Sequence, residues 1–370
     1  MASLRDALLE RERPVFLFGT VPAMEGTPTE KIRAQCVKFA AKMRELATDG
    51  YIVYDIQEEK GRTPDPRPFP FRRMSDPVEY ADMLKQESGK DSVVYKCVAE
   101  HTGESFGDWS NKTSKVHGVE LLNLVGGATS TVTYSGPTME QAAEVVHKHN
   151  MVFGGVTIAE RHMKKKNEHT TLAAKVKMGA QWFITQAIYN PEPTIEVINE
   201  YGALCKKEGV EPKKLILTFA PCGRPKTMTF MHWLGVSVPE ETEKAILEAP
   251  VPVEASVNLL CDMLTKIMKD TASAGVPLGI SIEHVSIFKE EVKASFDLFN
   301  RTQAILLDNR GIPFAIKWTS LPQVTSVIAA QKESKAVAKK GDGVTWPALF
   351  LAFAVGIMFG KGNVAEPQLA

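Results

Sequence analysis

The chain alternates between short apolar runs and amphipathic stretches over most of its length. The apolar runs are rich in β-branched and aromatic residues, and a helical pattern follows most of them. We predict eight strands, at 14–19, 51–56, 92–99, 119–125, 151–158, 180–188, 214–220 and 277–283. Strands that are apolar on both faces and separated by helices form parallel sheets, and eight such units predict a closed (β/α)8 TIM barrel of the α/β class. A doubly wound open sheet is the alternative, although no GxGxxG motif follows any of the strands.

Several helix boundaries carry capping signals. Residues 27–30 read Thr-Pro-Thr-Glu, which is typical of an N-terminal cap, and we expect the helix that follows to end at Gly50. Asp76 followed by Pro77 predicts a second capped start. The stretch after the third strand carries no clear helical pattern. Residues 159–169, after the fifth strand, are so polar that we predict a loop.

The composition excludes some classes of function. The chain has 44 basic and 44 acidic residues, so it lacks the basic excess that a nucleic-acid-binding surface needs. Its five cysteines form no CxxC pair, which argues against a zinc site or a disulfide framework and favours a reducing compartment. The charged N-terminal stretch carries no apolar signal-peptide core, and we expect a cytoplasmic protein.

The last part of the chain differs from the rest. Residues 344–360 form an uncharged run whose length is near the lower limit for a helix that crosses a bilayer, usually about 20 residues. A polar linker over 326–343 separates this run from the predicted barrel domain, residues 12–325. A core helix needs no such linker, so we expect a C-terminal anchor in an intracellular membrane. A buried core helix is the alternative.

Polar residues follow the predicted strands, where the active sites of (β/α)8 barrels lie. Carboxyl groups in these positions become general acids if burial raises their pKa, and the candidates are Glu58, Glu160 and Glu283. A glycine turn at Gly126 and Gly127, with Thr129 close behind, lets backbone amides approach a cofactor phosphate. Strand ends meet solvent in any barrel, however, so solvated turns explain the same residues.

Gln186 and the histidines after the fifth strand need separate explanations. Gln186 lies inside an apolar strand, where its amide needs a partner and is suited to read the edge of a flat heterocycle such as a pterin or flavin. A core glutamine bonded to the backbone is the alternative. His162, Glu168 and His169 are of metal-ligand type, but their spacing matches no metal motif, so we predict no metal site.

Residues 175–186 carry the most specific pattern of the chain. They read K-x-x-x-G-A-x-x-x-I-T-Q, and this resembles a segment of methylenetetrahydrofolate reductases, which are flavin-dependent (β/α)8 barrels. The resemblance extends weakly over residues 14–310. It implies reduction of 5,10-methylenetetrahydrofolate to 5-methyltetrahydrofolate in one-carbon metabolism, with NAD(P)H and FAD as cofactors. It also implies a catalytic, folate-reading role for Gln186 and FAD contacts from His162, Glu168, Thr171 and Lys175.

The chain departs from this family at two acidic positions. Leu17 stands where the first strand of the family carries a glutamate, and Gly127 stands where the fourth strand ends in an aspartate. We therefore predict Glu160 as the replacement catalytic acid, with substrate contacts and alternative acids at Glu58 and Glu283. The alternative functions are a related barrel acting on another pterin or one-carbon substrate, and a non-catalytic folate-binding protein. A homo-oligomer is compatible with each of them.

Overall fold

Eight parallel strands close into a barrel in the computed structural model, which describes residues 3–59, 63–101, 103–127 and 133–309. The strands are β1 Phe16–Thr20, β2 Gly50–Val53, β3 Ser92–Cys97, β4 Leu121–Val125, β5 Val152–Thr157, β6 Trp182–Ala187, β7 Lys214–Phe219 and β8 Leu278–Ile282. Each strand pairs with the next along the chain, and β8 closes the sheet by pairing with β1. The predicted (β/α)8 architecture is confirmed.

The helices follow the strands, except for one that precedes β1. They are α1 Leu4–Leu9, α2 Thr29–Met43, α3 Pro77–Ser88, α4 Phe106–Lys115, α5 Met139–Lys148, α6 Ala159–Lys165, α7 Glu168–Lys177, α8 Pro191–Glu208, α9 Pro225–Trp233, α10 Glu240–Leu247, α11 Pro252–Asp270 and α12 Lys289–Asn309. Two of them follow β5 and three follow β7, so the connections after these strands are the most elaborate.

The strand predictions agree with the structure, whereas two helix boundaries are wrong. Each predicted strand end lies within three residues of the observed one. The N-cap residue of α2 is Pro28, which makes no side-chain capping bond, and the hydroxyl of Thr27 instead donates to a backbone carbonyl. The helix ends at Met43, and Gly50 is the first residue of β2. By contrast, Asp76 caps α3 as predicted, accepting from two backbone N–H groups.

The sequence pattern also fails to predict α4 and α6. The N-terminus of α4 is capped by Ser105, whose hydroxyl accepts from the backbone N–H of Asp108. Residues 159–165 form α6 where a loop is predicted, and His162 is the buried residue of this helix. A helix with such a narrow buried face shows no apolar periodicity, which explains the error.

An apolar cluster fills the amino-terminal part of the barrel interior. Its members are Leu4, Ala7, Leu8, Val15, Leu17, Ile52, Val93, Leu121, Trp182, Ile184 and Ile216. Helix α1 contributes the first three. The ammonium group of Lys214 fixes this helix and the segment after it by donating to the carbonyl oxygens of Ala7, Glu10 and Arg13. Helix α1 therefore covers the amino-terminal end of the barrel, which in this fold is the end that serves stability.

The C-terminal segments lie outside the described residues. The chain divides into two units, residues 1–324 and residues 325–370. The predicted linker, 326–343, and the predicted anchor, 344–360, both fall in the second unit, and the anchor stays a prediction. Among the residues that the structure describes, no helix is both long enough and apolar enough to cross a membrane.

Candidate functional site

Tyr54, Gln186 and Glu283 lie at the carboxyl ends of β2, β6 and β8. Side chains alternate between the two faces of a strand, and each of these residues comes two positions after a fully buried residue of the same segment. On β1, a Cβ added to Gly19 would lie 2.9 Å from Cε2 of Tyr54 and 3.0 Å from Cβ of Glu283. Gly19 therefore leaves the space in which Tyr54 and Glu283 meet, in the mouth of the barrel.

Glu283 is a half-buried carboxyl group beside two phenols. Burial raises its pKa, and a hydrogen bond from the Tyr54 hydroxyl acts in the opposite direction. The rings of Tyr54 and Tyr95 lie 4.7 Å apart between centroids. Burial and the nearby Glu283 charge hold the pKa values of both phenols well above their usual range, so the phenols stay neutral. Glu283 can accept hydrogen bonds from a ligand when it is ionised, and it can donate a proton to a reacting atom when it is protonated.

Asn123 lies in the strand next to Tyr95 and pairs with it in register. The residue is 0% exposed, and neither its amide nitrogen nor its amide oxygen has a hydrogen-bond partner among the described residues. The hydroxyl oxygen of Thr218 on β7 is also buried and unpaired there. Buried amides are nearly always paired in proteins, so a water or a ligand group is expected beneath the mouth.

Gln186 occupies an irregular part of the sheet. The pairing of β6 with β7 shifts between Ile184 and Ala187, which is a β-bulge at the site predicted to read the ligand. The Gln186 amide nitrogen donates to the carbonyl oxygen of Leu234 at 2.6 Å. Gln186 is thus a half-buried residue at the mouth, and this hydrogen bond fixes its side chain to the segment that follows α9.

The Glu160-Arg161-His162 triplet does not form one wall of a site. Glu160 is half-buried, and its carboxylate accepts from the backbone N–H of Ser237 at 3.2 Å. Burial is the main cause that raises the pKa of Glu160, and the Glu168 charge adds to it. Arg161 is exposed and His162 is fully buried. Because α6 is helical, successive side chains point in different directions, so the three residues do not line one surface. Of the three, Glu160 is the one that can act as a general acid.

The residues predicted to hold FAD are mostly engaged with the protein itself. The buried Glu168 carboxylate accepts from the Thr157 hydroxyl at 3.2 Å and from the Ile158 N–H at 3.1 Å. The Lys175 ammonium donates to the carbonyl of Val156, and burial lowers its pKa. The Thr171 hydroxyl donates to a backbone carbonyl of the preceding turn. These three side chains thus have partners within the protein, and FAD binding stays a prediction.

The glycine turn after β4 is closely covered. A Cβ added to Gly127 would lie 2.1 Å from the ring of Tyr134, so the aspartate found here in the resembling family has no room. Gly126 has open space around its Cα, and Thr129 lies outside the described residues. Leu17, which replaces the other family acid, is fully buried in the apolar cluster of the barrel.

The loop after β2 connects to α9 by aromatic contacts. The guanidinium carbon of Arg67 lies 4.8 Å from the Trp233 ring centroid and 5.6 Å from that of Phe230. Arg67 also donates to the carbonyl oxygens of the exposed Glu58 at 3.1 Å and of Gln57 at 3.3 Å. In the barrel β8 and β1 stand between β7 and β2, so these contacts join connections that follow two strands that are not neighbours.

Three residues in or just below the mouth are not predicted from the sequence: Tyr54, Tyr95 and Asn123. For Asn123 the signal was present, because it is a polar residue inside an apolar strand, as Gln186 is. The two tyrosines carry no such signal, since tyrosine is common in strands and a pattern of alternation does not say which strands become neighbours.

Solved structures give the informative comparison. No protein-family description and no curated protein matches the chain. An uncharacterized protein from Clostridium thermocellum, solved with two copies of 5-methyl-5,6,7,8-tetrahydrofolic acid, is 28% identical, with a TM-score of 0.68 over 82% of this chain and 99% of the other. A GH113 β-1,4-mannanase is 12% identical, with a TM-score of 0.44 over 78% of this chain and 98% of its own, too distant to inform the site.

Proposed function

We propose that this chain binds a reduced folate of the 5-methyltetrahydrofolate type at the mouth of the barrel. The observation that carries the proposal is the 28% identity to a folate-binding barrel along 99% of that protein's length. Similarity in sequence and in fold along a whole domain is stronger support than the fold alone, since (β/α)8 barrels serve many chemistries.

The chemistry of the mouth suits a pterin. The pterin ring of a folate presents a row of N–H donors beside a carbonyl acceptor. Glu283 offers a carboxylate to such donors, and the amide of Gln186 offers both a donor and an acceptor. The neighbouring rings of Tyr54 and Tyr95 offer aromatic faces against which a flat ligand packs.

Calorimetric titration with 5-methyltetrahydrofolate tests the proposal. Gln186→Ala is expected to weaken binding by about 1–3 kcal/mol, because a polar partner of the ligand is left unpaired. Glu243→Gln is the control, since this carboxylate pairs with His232 between α9 and α10 and makes no recorded contact with Gln186. The absence of binding heat with the wild-type chain would contradict the proposal. Equal affinities for the wild type and Gln186→Ala would show that Gln186 is not part of the site.

Reduction of 5,10-methylenetetrahydrofolate by NAD(P)H through FAD stays a prediction from the family resemblance. What supports it at the residue level is Glu160, a half-buried carboxyl group whose pKa is raised. The visible absorbance of the purified chain tests for flavin, and a steady-state reductase assay of Glu160→Gln tests the acid. We expect about a thirtyfold loss of rate, corresponding to about 2 kcal/mol of transition-state stabilisation. Folate binding without flavin and without turnover favours the non-catalytic alternative.

A further inference from the structure

Three potential metal ligands converge on the outside of the barrel, between α6, α7 and α8. The Glu200 carboxylate oxygen lies 2.8 Å from Nδ1 of His169 and 3.2 Å from Nε2 of His162. All three ligand atoms lie within 4.8 Å of one another. His162 and His169 come from the connection after β5, whereas Glu200 comes from the helix after β6, so folding brings together what the sequence separates.

The two imidazole nitrogens lack the hydrogen bonds that their burial requires. His162 is 0% exposed, and within the described part of the chain neither its Nε2 nor Nδ1 of His169 has a hydrogen-bond partner. The Glu200 oxygen is close enough to both nitrogens for a hydrogen bond, but the angle at which it approaches each ring is unsuitable for one. Buried ring nitrogens that lie close to a carboxylate oxygen without a well-directed hydrogen bond to it are suited to a metal ion placed among the three atoms.

We propose that His162, His169 and Glu200 form a binding site for a divalent zinc ion, with water as the fourth ligand. Two imidazoles and one carboxylate are a zinc donor set, whereas magnesium and calcium favour oxygen ligands throughout. Glu200 is partly exposed, which gives the ion a path from solvent. The neighbouring Glu196 is 3.8 Å from Nε2 of His162 and is bound by Lys166, so it is not counted as a ligand.

The tautomer of His162 sets a condition on binding. The backbone N–H of Glu168 points at Nδ1 of His162 at 3.3 Å, so in the metal-free chain the ring proton sits on Nε2. A metal ion at Nε2 requires the other tautomer, in which the ring proton lies on Nδ1, so the hydrogen bond from the Glu168 N–H must be given up.

The ion would act as a cross-link with consequences for the mouth. It joins α6 and α7 to α8, and Glu168, at the start of α7, accepts from two groups at the end of β5. Glu160 lies on the same short helix as His162, so the ion would also fix the helix that carries the candidate acid. This role needs no folate and does not depend on the proposed function.

Titration of the metal-depleted full chain, without a histidine tag, tests the site. Zinc affinity is measured by competition with a chromophoric chelator, and cobalt provides a spectrum that reports the coordination geometry. We expect one zinc ion per chain, an intense four-coordinate cobalt spectrum, and a loss of affinity of at least about tenfold in His169→Gln and in Glu200→Gln. Glu192→Gln is the matched control on α8, because Glu192 pairs with Lys266 and does not face the histidines.

Two results would overturn the proposal. One is the absence of stoichiometric zinc binding by the wild-type chain, and the other is equal affinity in both ligand variants. Both substitutions replace partly exposed side chains by one of similar size, so circular dichroism of the metal-free variants is expected to match that of the wild type. Zinc should also raise the melting temperature of the wild type and of Glu192→Gln, but not that of Glu200→Gln.

Discussion

Asn123 is the residue at which the barrel interior departs most clearly from an apolar core. It is fully buried, and both ends of its amide lack partners in the described part of the chain. Leaving a buried polar group unpaired costs about 1–3 kcal/mol, whereas an apolar group of similar shape avoids that cost. We therefore expect the Asn123 amide to form hydrogen bonds with a ligand or with an ordered water.

Asn123→Leu is therefore expected to have opposite effects on stability and on binding. The free energy of unfolding of the unliganded chain should stay the same or rise by about 1 kcal/mol, while folate binding weakens by about 1–3 kcal/mol. Urea unfolding and calorimetry measure the two effects. The control is Asn199→Leu on α8, where the amide donates to the carbonyl of Asp270 away from the mouth. Lower stability together with unchanged binding would show that Asn123 is a structural residue.

Glu283 makes stability depend on pH in a defined direction. Burial raises its pKa in the folded chain above the ordinary value of 4.5, so the folded state binds this proton more tightly than the unfolded state. Its contribution to stability is full below pH 4.5 and is lost as the pH rises through the raised pKa. In Glu283→Gln, which keeps an acceptor for Tyr54, this loss is absent. Urea unfolding from acid to neutral pH should show the wild type falling relative to the variant, and parallel curves would contradict the assignment.

At the level of elements, the sequence predicts what depends on local pattern and misses what depends on neighbours. All eight strands follow from apolar, β-branched runs, because a strand buried on both faces needs such a run regardless of its partners. Helix α6 has one buried residue, so no periodicity reveals it. The grouping of His162 with Glu200 depends on α6 lying beside α8, which no spacing in the sequence expresses.

The loop after β2 is the element expected to control ligand release. Arg67 holds it to α9 through the Trp233 and Phe230 rings, and the Trp233 indole N–H donates to the carbonyl of Asp65 at 3.1 Å. Partly buried cation–π contacts contribute about 1–2 kcal/mol. If the folate site is at the mouth, loss of these contacts loosens a segment on its rim.

Arg67→Ala should accordingly speed folate dissociation by roughly five- to thirtyfold, which corresponds to about 1–2 kcal/mol. Stopped-flow displacement measures the rate. Lys244→Ala is the control, because its ammonium pairs with Glu240 within α10. Limited proteolysis gives a readout without ligand, and faster cleavage within residues 63–75 is expected in Arg67→Ala alone. An unchanged cleavage rate would mean that other contacts hold the loop.

On the scale of the whole molecule, the two ends of the barrel have different tasks. The amino-terminal end is filled by apolar side chains and covered by α1, with Lys214 satisfying three carbonyl groups there. The carboxyl end carries Glu283, two tyrosines and, just below them, an amide that has no hydrogen-bond partner among the described residues. Such a division predicts that substitutions at the first end change stability and leave binding unchanged.

Leu8→Ala tests this division, because Leu8 is fully buried in the apolar cluster at the end opposite the mouth. Truncation of a buried leucine leaves a cavity and is expected to lower the free energy of unfolding by about 2–5 kcal/mol. Leu9→Ala is a matched control on the same helix, since Leu9 is 43% exposed and its loss should change stability by no more than about 0.5 kcal/mol. Both variants should bind 5-methyltetrahydrofolate with wild-type affinity at a temperature where they remain folded. A weaker affinity in folded Leu8→Ala would instead show that packing beneath the barrel positions the residues at its mouth, and the two ends would have to be treated as one coupled unit.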